Sequence, residues 1–104
     1  MGENIPRKQT RQPNNAVDQL RRSIDAIDDE ILRLLHARLS VAKQIGKCKR
    51  QGDIQVTDKP REKEIMNRLL KKNESILSGD GLRTIFEAII AEGRLVQEKD
   101  QGSK

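Results

Sequence analysis

The sequence has no tryptophan and no tyrosine, and Phe86 is its only aromatic residue. Only 34% of its 104 residues are apolar, whereas a typical globular chain has about 45–50%. A chain this short and this polar can bury only a small core of its own. Because long stretches of it are nevertheless periodic, we expect it to complete its core against a second copy of itself rather than to be largely disordered.

The sequence also lacks long apolar runs and has little cysteine or histidine. Its longest apolar run is the four residues Ala88 to Ala91, so we expect neither a membrane-spanning helix nor the apolar core of a signal peptide. Cys48 is the only cysteine and His36 the only histidine. A single cysteine excludes an intramolecular disulfide, and the pair does not make a structural zinc site. These features predict a protein of the reducing cytoplasm.

The charge is high and mixed, with 21 Lys and Arg against 16 Asp and Glu and a net charge of +5. This balance is compatible with a small polyanionic ligand held by a few arginines. It does not favour nucleic acid, because the basic residues form no separate stripe and aromatic side chains for base stacking are missing.

The first sixteen residues differ from all that follows. Residues 1–16 contain two prolines and three asparagines without periodicity, which predicts a flexible tail. From Val17 onward, apolar residues recur at alternating steps of three and four, which is a heptad pattern. The positions are Val17, Leu20, Ile24, Ile27, Ile31, Leu34, Val41, Ile45 and Cys48. They predict one very long helix to about Gln51, which must pack lengthwise against a partner to be stable.

Two further helices are predicted. Gly52-Asp53 ends the first helix, and a cap at Thr57-Asp58 with Pro60 in the first turn begins the second. The apolar face of this short helix consists of Ile65, Met66, Leu69 and Leu70. Either Ser78 or Asp80 caps the third helix.

The third helix is of medium length. Its inward stripe consists of Leu82, Ile85, Phe86, Ile89, Ile90, Gly93 and Val96. Residues 99–104 are polar and are expected to fray. The predicted fold class is therefore all-α, with one very long, one short and one medium helix in an intertwined homodimer.

The heptad pattern has one break, at Arg38. A cation in a helix seam is costly unless it is paired or binds an anion. Lys49, eleven residues further on, lies at nearly the same azimuth and leans toward Arg38. The two could bracket a small anion. An intersubunit ion pair or a snorkelling side chain for Arg38, and a solvated side chain for Lys49, remain open alternatives.

Arg21 lies beside the seam at the other end of the helix. An ideal helix separates it from Arg38 by about 26 Å, so one chain cannot bring both to one small ligand. An antiparallel partner helix could. The alternative is that Arg21 is an ordinary surface residue.

Polar residues also stand at notable positions on the other two helices. Asp58 and Glu62 share one face at the start of the second helix, where they serve either a ligand or the cap. The amide of Gln97 follows the apolar stripe of the third helix; the alternative is that the frayed helix end exposes it. His36 is interpreted as a surface or interface residue. No nucleophile–base pair, phosphate-binding loop or metal-ligand spacing occurs.

Three segments together resemble the all-helical AroQ class of chorismate mutases. They read LRRSIDAIDDEILRLLHARLSVAKQIGKCK from Leu20, VTDKPREKEIMNRL from Val56, and LRTIFEAIIAEGRLVQ from Leu82. The class includes stand-alone enzymes and mutase domains fused to other shikimate-pathway enzymes such as prephenate dehydratase. The resemblance implies that residues 17–98 form a chorismate mutase domain.

The resemblance implies a role for each anomalous residue of the first helix. Arg21 corresponds to an arginine that reaches into the partner's active site, and Arg38 to one that binds a substrate carboxylate within its own chain. Lys49 corresponds to the lysine that contacts a carboxylate and the ether oxygen whose bond breaks.

The other two helices supply the remaining implied contacts. Asp58 and Glu62 correspond to the pair around the ring hydroxyl, with Arg61 in a supporting position. Gln97 corresponds to the hydrogen-bond donor to the ether oxygen. Many relatives have a serine that contacts a substrate carboxylate where this chain has Gly93, a change expected to weaken binding modestly without abolishing activity.

The implied activity is the pericyclic rearrangement of chorismate to prephenate in phenylalanine and tyrosine biosynthesis. Lys49, Gln97, Arg38 and Glu62 are the expected catalytic residues, and the same four with Arg21 and Asp58 are expected to bind the substrate. No cofactor or metal is implied, and the partners would be the dianion chorismate and a second copy of the chain. Two alternatives remain: an isochorismate pyruvate lyase of the same fold, and a non-catalytic helical dimerisation module.

Overall fold

The computed structural model describes the backbone of residues 4–102 and the side chains of residues 15–99. It contains three helices: α1 (Asn4–Gln51), α2 (Lys59–Lys72) and α3 (Gly79–Gly102). Within the described residues the fold is therefore all-helical with one long helix, as the sequence predicted. None of these described helices is both long enough and apolar enough to cross a membrane.

Helix α1 begins at Asn4 rather than at Val17. Once a long helix has formed, adding residues to its end needs no new nucleus. Pro6 falls in the first turn, where proline is tolerated, whereas Pro13 lies inside the helix and opposes the extension. The side chains of residues 1–14 and 100–104 lie outside the described residues, so the tail at 1–16 and the frayed end at 99–104 stay predictions.

The chain divides into two units, residues 1–34 and residues 35–104. In the first unit, every side chain described, from residue 15 onward, is exposed. The heptad positions there are Val17, Leu20, Ile24, Ile27, Ile31 and Leu34, with 44% to 67% of their surface accessible. Among the described side chains of this unit, residues 15–34, none covers the apolar seam.

The second unit holds the core of the described residues. Its buried apolar side chains are Ala42 of α1, Ile65 of α2, and Leu82 and Ile90 of α3. Gly46 and Gly93 are buried as well. Ile85, predicted to face inward, is instead 49% exposed, because this small interior does not extend over its side of α3.

Helix α1 ends at Gln51, directly before Gly52 and Asp53, as the sequence predicted. Asp53 adopts the left-handed conformation, with φ 58°, and its N–H donates to the Arg50 carbonyl at 3.2 Å. The Ile54 N–H donates to the Lys49 carbonyl at 2.7 Å. This is the hydrogen-bond pattern of a Schellman motif, which reverses the chain and fixes the residues that follow Lys49.

The predicted starts of the other two helices are confirmed. Asp58 is the N-cap of α2, with a proline in the first turn. At α3 the cap is Ser78 rather than Asp80, since the Gly81 N–H donates to the Ser78 Oγ at 2.9 Å.

Candidate active site

A cavity of about 590 Å³ lies within the second unit and is lined by all three helices. Five of the six residues predicted to bind substrate line it: Arg38, Lys49, Asp58, Glu62 and Gln97. The remaining lining comprises Arg61, Arg94, Gly93 and the apolar residues Val41, Ala42, Ile45, Val56, Ile65 and Ile90. Charged groups are thus set into a largely apolar wall, the usual composition of a small-molecule site.

The Arg38 side chain extends from α1 into the cavity, where it lies beside Gly93 of α3. Its side chain is half-buried, and a Cβ atom built on Gly93 would lie 3.4 Å from its Nη1. Arg38 makes no hydrogen bond or ion pair with the side chains and backbone that the structure describes. A partly desolvated guanidinium without a counter-ion is suited to bind an anion.

Lys49 is held by the connector that follows its own helix. Its Nζ donates a hydrogen bond to the Val56 carbonyl at 2.8 Å, in a partly buried setting. An ammonium group has three donors, so two remain for a ligand. The alternative of a freely solvated helix-end lysine is therefore wrong.

Asp58 has the capping role that the sequence left open. Its Oδ1 accepts from the Arg61 N–H at 3.0 Å, and its side chain is exposed at the mouth of the cavity. This uses one carboxylate oxygen and leaves Oδ2. The Arg61 guanidinium pairs with Glu64 at 3.0 Å, so its charge is engaged at the surface.

Glu62 has a partner that the sequence analysis missed. The Arg94 Nη1 donates to the Glu62 Oε2 at 2.7 Å, and the two side chains are 32% and 21% exposed. The pair joins residues 32 positions apart. A signal did exist, because Arg94 lies four residues after Ile90 and three before Gln97, on the face of α3 already assigned to the cavity.

Gln97 is buried, with 9% of its surface accessible, so the alternative of a frayed, exposed end is wrong. The reason lies on α1: a Cβ built on Gly46 would come within 3.1 Å of the Gln97 Cα and 3.2 Å of its Cβ. The Gln97 Oε1 has no hydrogen-bond partner among the described residues. An unpaired buried amide oxygen is costly and is usually explained by a ligand or water.

Arg21 does not line this cavity. It belongs to the first unit, where its guanidinium lies 3.9 Å from Asp18 and 76% of its side-chain surface is accessible. His36 is exposed, as predicted.

The lining carries more positive than negative charge. The cations of Arg38, Lys49, Arg61 and Arg94 face the carboxylates of Asp58 and Glu62. Because Arg61 is paired with Glu64 and Arg94 with Glu62, the cations left for an anionic ligand are Arg38 and Lys49. Among the described residues no group of histidine, cysteine and carboxylate side chains could hold a metal ion.

Comparison with known proteins identifies the family. A family profile described as "Chorismate mutase type II" matches residues 20–98. A stand-alone relative named "Chorismate mutase", from Methanocaldococcus jannaschii, is 34% identical over 83 residues, which is 78% of this chain and 83% of the relative. The chain belongs to the chorismate mutase type II family. The resemblance seen in the sequence is thereby confirmed.

Other relatives of this chorismate mutase type II chain are longer proteins. The "Bifunctional chorismate mutase/prephenate dehydratase" of Aquifex aeolicus is 38% identical over 77 residues, covering 70% of this chain and 21% of the relative. The protein of the same name from Escherichia coli K12 is 31% identical over 85 residues, covering 81% and 22%. The chain thus spans about a fifth of these bifunctional relatives. No solved structure gives a significant match.

Proposed function

We propose that this chain rearranges chorismate to prephenate, as a homodimer in which each active site uses residues of both subunits. The observation that carries the proposal is the cavity lined by Arg38, Lys49 and Gln97, in a chain whose family is chorismate mutase type II. The family includes mutases of aromatic amino acid biosynthesis, which is the pathway we propose for this chain. A cytoplasmic location is proposed because its one cysteine is free.

The first task of the site is to hold the substrate in its compact conformation. Arg38 binds one carboxylate of chorismate, and Arg21 of the partner subunit's first helix binds the other. Charge-assisted bonds from guanidinium to carboxylate are short and directional. Fixing both carboxylates selects the conformer in which the reacting carbons are close. This orientation of the substrate lowers the activation free energy.

The second task is to stabilise charge that develops on the ether oxygen. The Lys49 ammonium, fixed by its bond to the Val56 carbonyl, supplies a positive donor. The buried Gln97 amide supplies a neutral one. Preorganised donors in a site of low dielectric constant stabilise the transition state more than the ground state. The rearrangement is pericyclic and needs no covalent intermediate or general base.

The third task is to recognise the ring hydroxyl. Asp58 and Glu62 each have one carboxylate oxygen engaged by the protein, by the Arg61 N–H and the Arg94 guanidinium. The other oxygens are available to accept a hydrogen bond. These acceptors orient the ring relative to the cations.

The seam of the first unit supports the proposed homodimer. Six heptad side chains there are about half exposed, and burying such side chains yields about 1.5–3 kcal/mol each when complete. A second copy with the same seam covers them and brings in the Arg21 that the cavity of one chain lacks.

The decisive experiment measures loss of chorismate absorbance with the wild-type chain and with Lys49→Ala. We expect wild-type turnover, and a kcat at least about tenfold lower in the variant because the charge at the ether oxygen is lost. Lys47→Ala, which removes an exposed lysine two residues away, is the matched control. No turnover of chorismate by the wild type, or release of pyruvate from isochorismate instead, would overturn the proposal.

A further inference from the structure

The ion pair between Arg94 and Glu62 is short and partly buried. It joins α3 to α2 with a distance of 2.7 Å from Nη1 to Oε2, and about a third of the Arg94 side chain remains accessible. Other ion pairs described in this chain, such as Arg33 with Glu30 and Arg61 with Glu64, join neighbours on one helix and are more than half exposed. The Arg94 pair therefore differs in its setting and in linking two elements.

The pair also stands between two cavities. Both residues line the active-site cavity and a second groove of about 640 Å³ whose other lining residues include Lys59, Arg83 and Glu87. Its two side chains are thus part of the wall between site and groove. A glutamate in such a wall can swing between the two spaces unless something fixes its rotamer.

Without Arg94, the carboxylate of Glu62 would place an uncompensated negative charge in the cavity. A free carboxylate in a site that receives a dianion repels the ligand. An arginine bonded to that carboxylate compensates its charge and holds its orientation. Because Arg94 bonds to Oε2 only, Oε1 remains to accept a hydrogen bond from an uncharged hydroxyl.

We propose that Arg94 is a positioning residue. It holds the Glu62 carboxylate so that Oε1 can accept a hydrogen bond from the substrate hydroxyl. It also compensates the negative charge of Glu62, which would otherwise repel a dianion. The inference rests on the proposed function, since it takes Glu62 as the residue that meets the ring hydroxyl. Arg94 acts through Glu62 and need not touch the substrate.

The test begins with three single variants assayed for chorismate turnover. We expect Arg94→Met to lower kcat/KM about tenfold, because a flexible, uncompensated carboxylate replaces a fixed one. Arg94→Lys keeps the charge and should recover part of the loss. Arg83→Met, which removes an exposed arginine from the same helix, should leave kcat/KM unchanged. Equal activity of Arg94→Met and wild type would overturn the inference while leaving the proposed function intact.

A double-mutant cycle distinguishes positioning from direct contact. In the Glu62→Gln background, Arg94→Met should change kcat/KM by less than about twofold, because the group it positions is already gone. Effects of the two substitutions that multiply would mean that Arg94 acts on the substrate itself, and would overturn the inference. Far-UV circular dichroism checks that each variant is folded. Should Arg94→Met fail to fold, the same cycle with Arg94→Lys decides. A wild type without chorismate turnover defeats the proposed function and this inference together.

Discussion

At the scale of single residues, Gln97 carries the clearest unmet hydrogen bond: its amide oxygen needs a donor, while its amide nitrogen is the group proposed to donate to the ether oxygen. Its Oε1 is buried without a partner among the described residues, which costs about 1–3 kcal/mol. The sequence could show that Gln97 follows an apolar stripe. It could not show that the side chain is buried, because burial comes from Gly46 on a different helix.

We expect Gln97→Met to separate activity from stability. Methionine is close to glutamine in shape but lacks the amide donor, so kcat should fall about tenfold or more. The melting temperature should stay the same or rise, because an unpaired buried oxygen has been replaced by an apolar group. Gln44→Met, at an exposed position of α1, is the control. An intact kcat accompanied by a large fall in melting temperature would contradict this interpretation.

Arg94 illustrates what single-residue patterns leave out. The sequence marked residues that interrupt an apolar pattern, such as Arg38, or that open a helix, such as Asp58. Arg94 does neither, and its partner lies 32 positions away. Its spacing from Ile90 and Gln97 places Arg94 on the inward face of α3, but its partner is revealed by the packing of α3 on α2.

At the scale of elements, the helix limits were predictable wherever local chemistry sets them. Pro60 and the Asp58 cap start α2, and Gly52 with Asp53 ends α1. The close approach of α1 to α3 was not predictable, because a glycine inside a helix gives no indication of which element it faces. Gly46 permits that approach, and it thereby fixes where Gln97 lies.

Gly46→Ala should therefore destabilise the protein even though alanine is the better helix former. Alanine gains about 1 kcal/mol of helix propensity, but its Cβ would lie 3.1 Å from the Gln97 Cα. Overpacking against backbone costs about 1–3 kcal/mol. We expect a lower melting temperature and a several-fold lower kcat as Gln97 is displaced.

Gly93→Ala is the matched comparison for this prediction. Its Cβ would meet the Arg38 Nη1 at 3.4 Å and the Ala42 Cβ at 3.9 Å, which are tolerable contacts. We expect its melting temperature to equal or exceed that of the wild type. A melting temperature raised by Gly46→Ala would show that α1 and α3 separate easily.

At the scale of the whole molecule, the described residues of a single chain form a small core and leave an apolar seam uncovered. The described residues of the second unit bury four apolar side chains, while the seam of the first unit stays uncovered. The heptad pattern predicted that seam and the need for a partner. The family and its three helices could be predicted from three short segments, but the dimer and the sharing of sites remain proposals because they depend on a second chain.

A mixed dimer tests the sharing of sites. One subunit carries Arg21→Ala and the other Arg38→Ala, and two different affinity tags isolate the heterodimer. If each site takes Arg38 from one chain and Arg21 from the other, one site is intact and the other lacks both arginines. We expect about half of the wild-type kcat per dimer, and a severe loss in either parental homodimer.

The outcome is decided by comparing the heterodimer with its parents. A heterodimer no more active than either parent would show that the two arginines do not act in sites shared between chains. Sedimentation of the wild type as a monomer would lead to the same conclusion.

One consequence of the long first helix concerns how freely this protein can change over evolutionary time. The same helix carries the exposed apolar seam, Arg38 at the one break in its heptad pattern, and Lys49 near its end. Under the proposed dimer and mechanism, a substitution there harms assembly and chemistry at once, so we expect few replacements to be neutral. Lys71 and Lys72 at the end of α2 are exposed and line neither the seam nor the cavity, so we expect replacements there to be better tolerated.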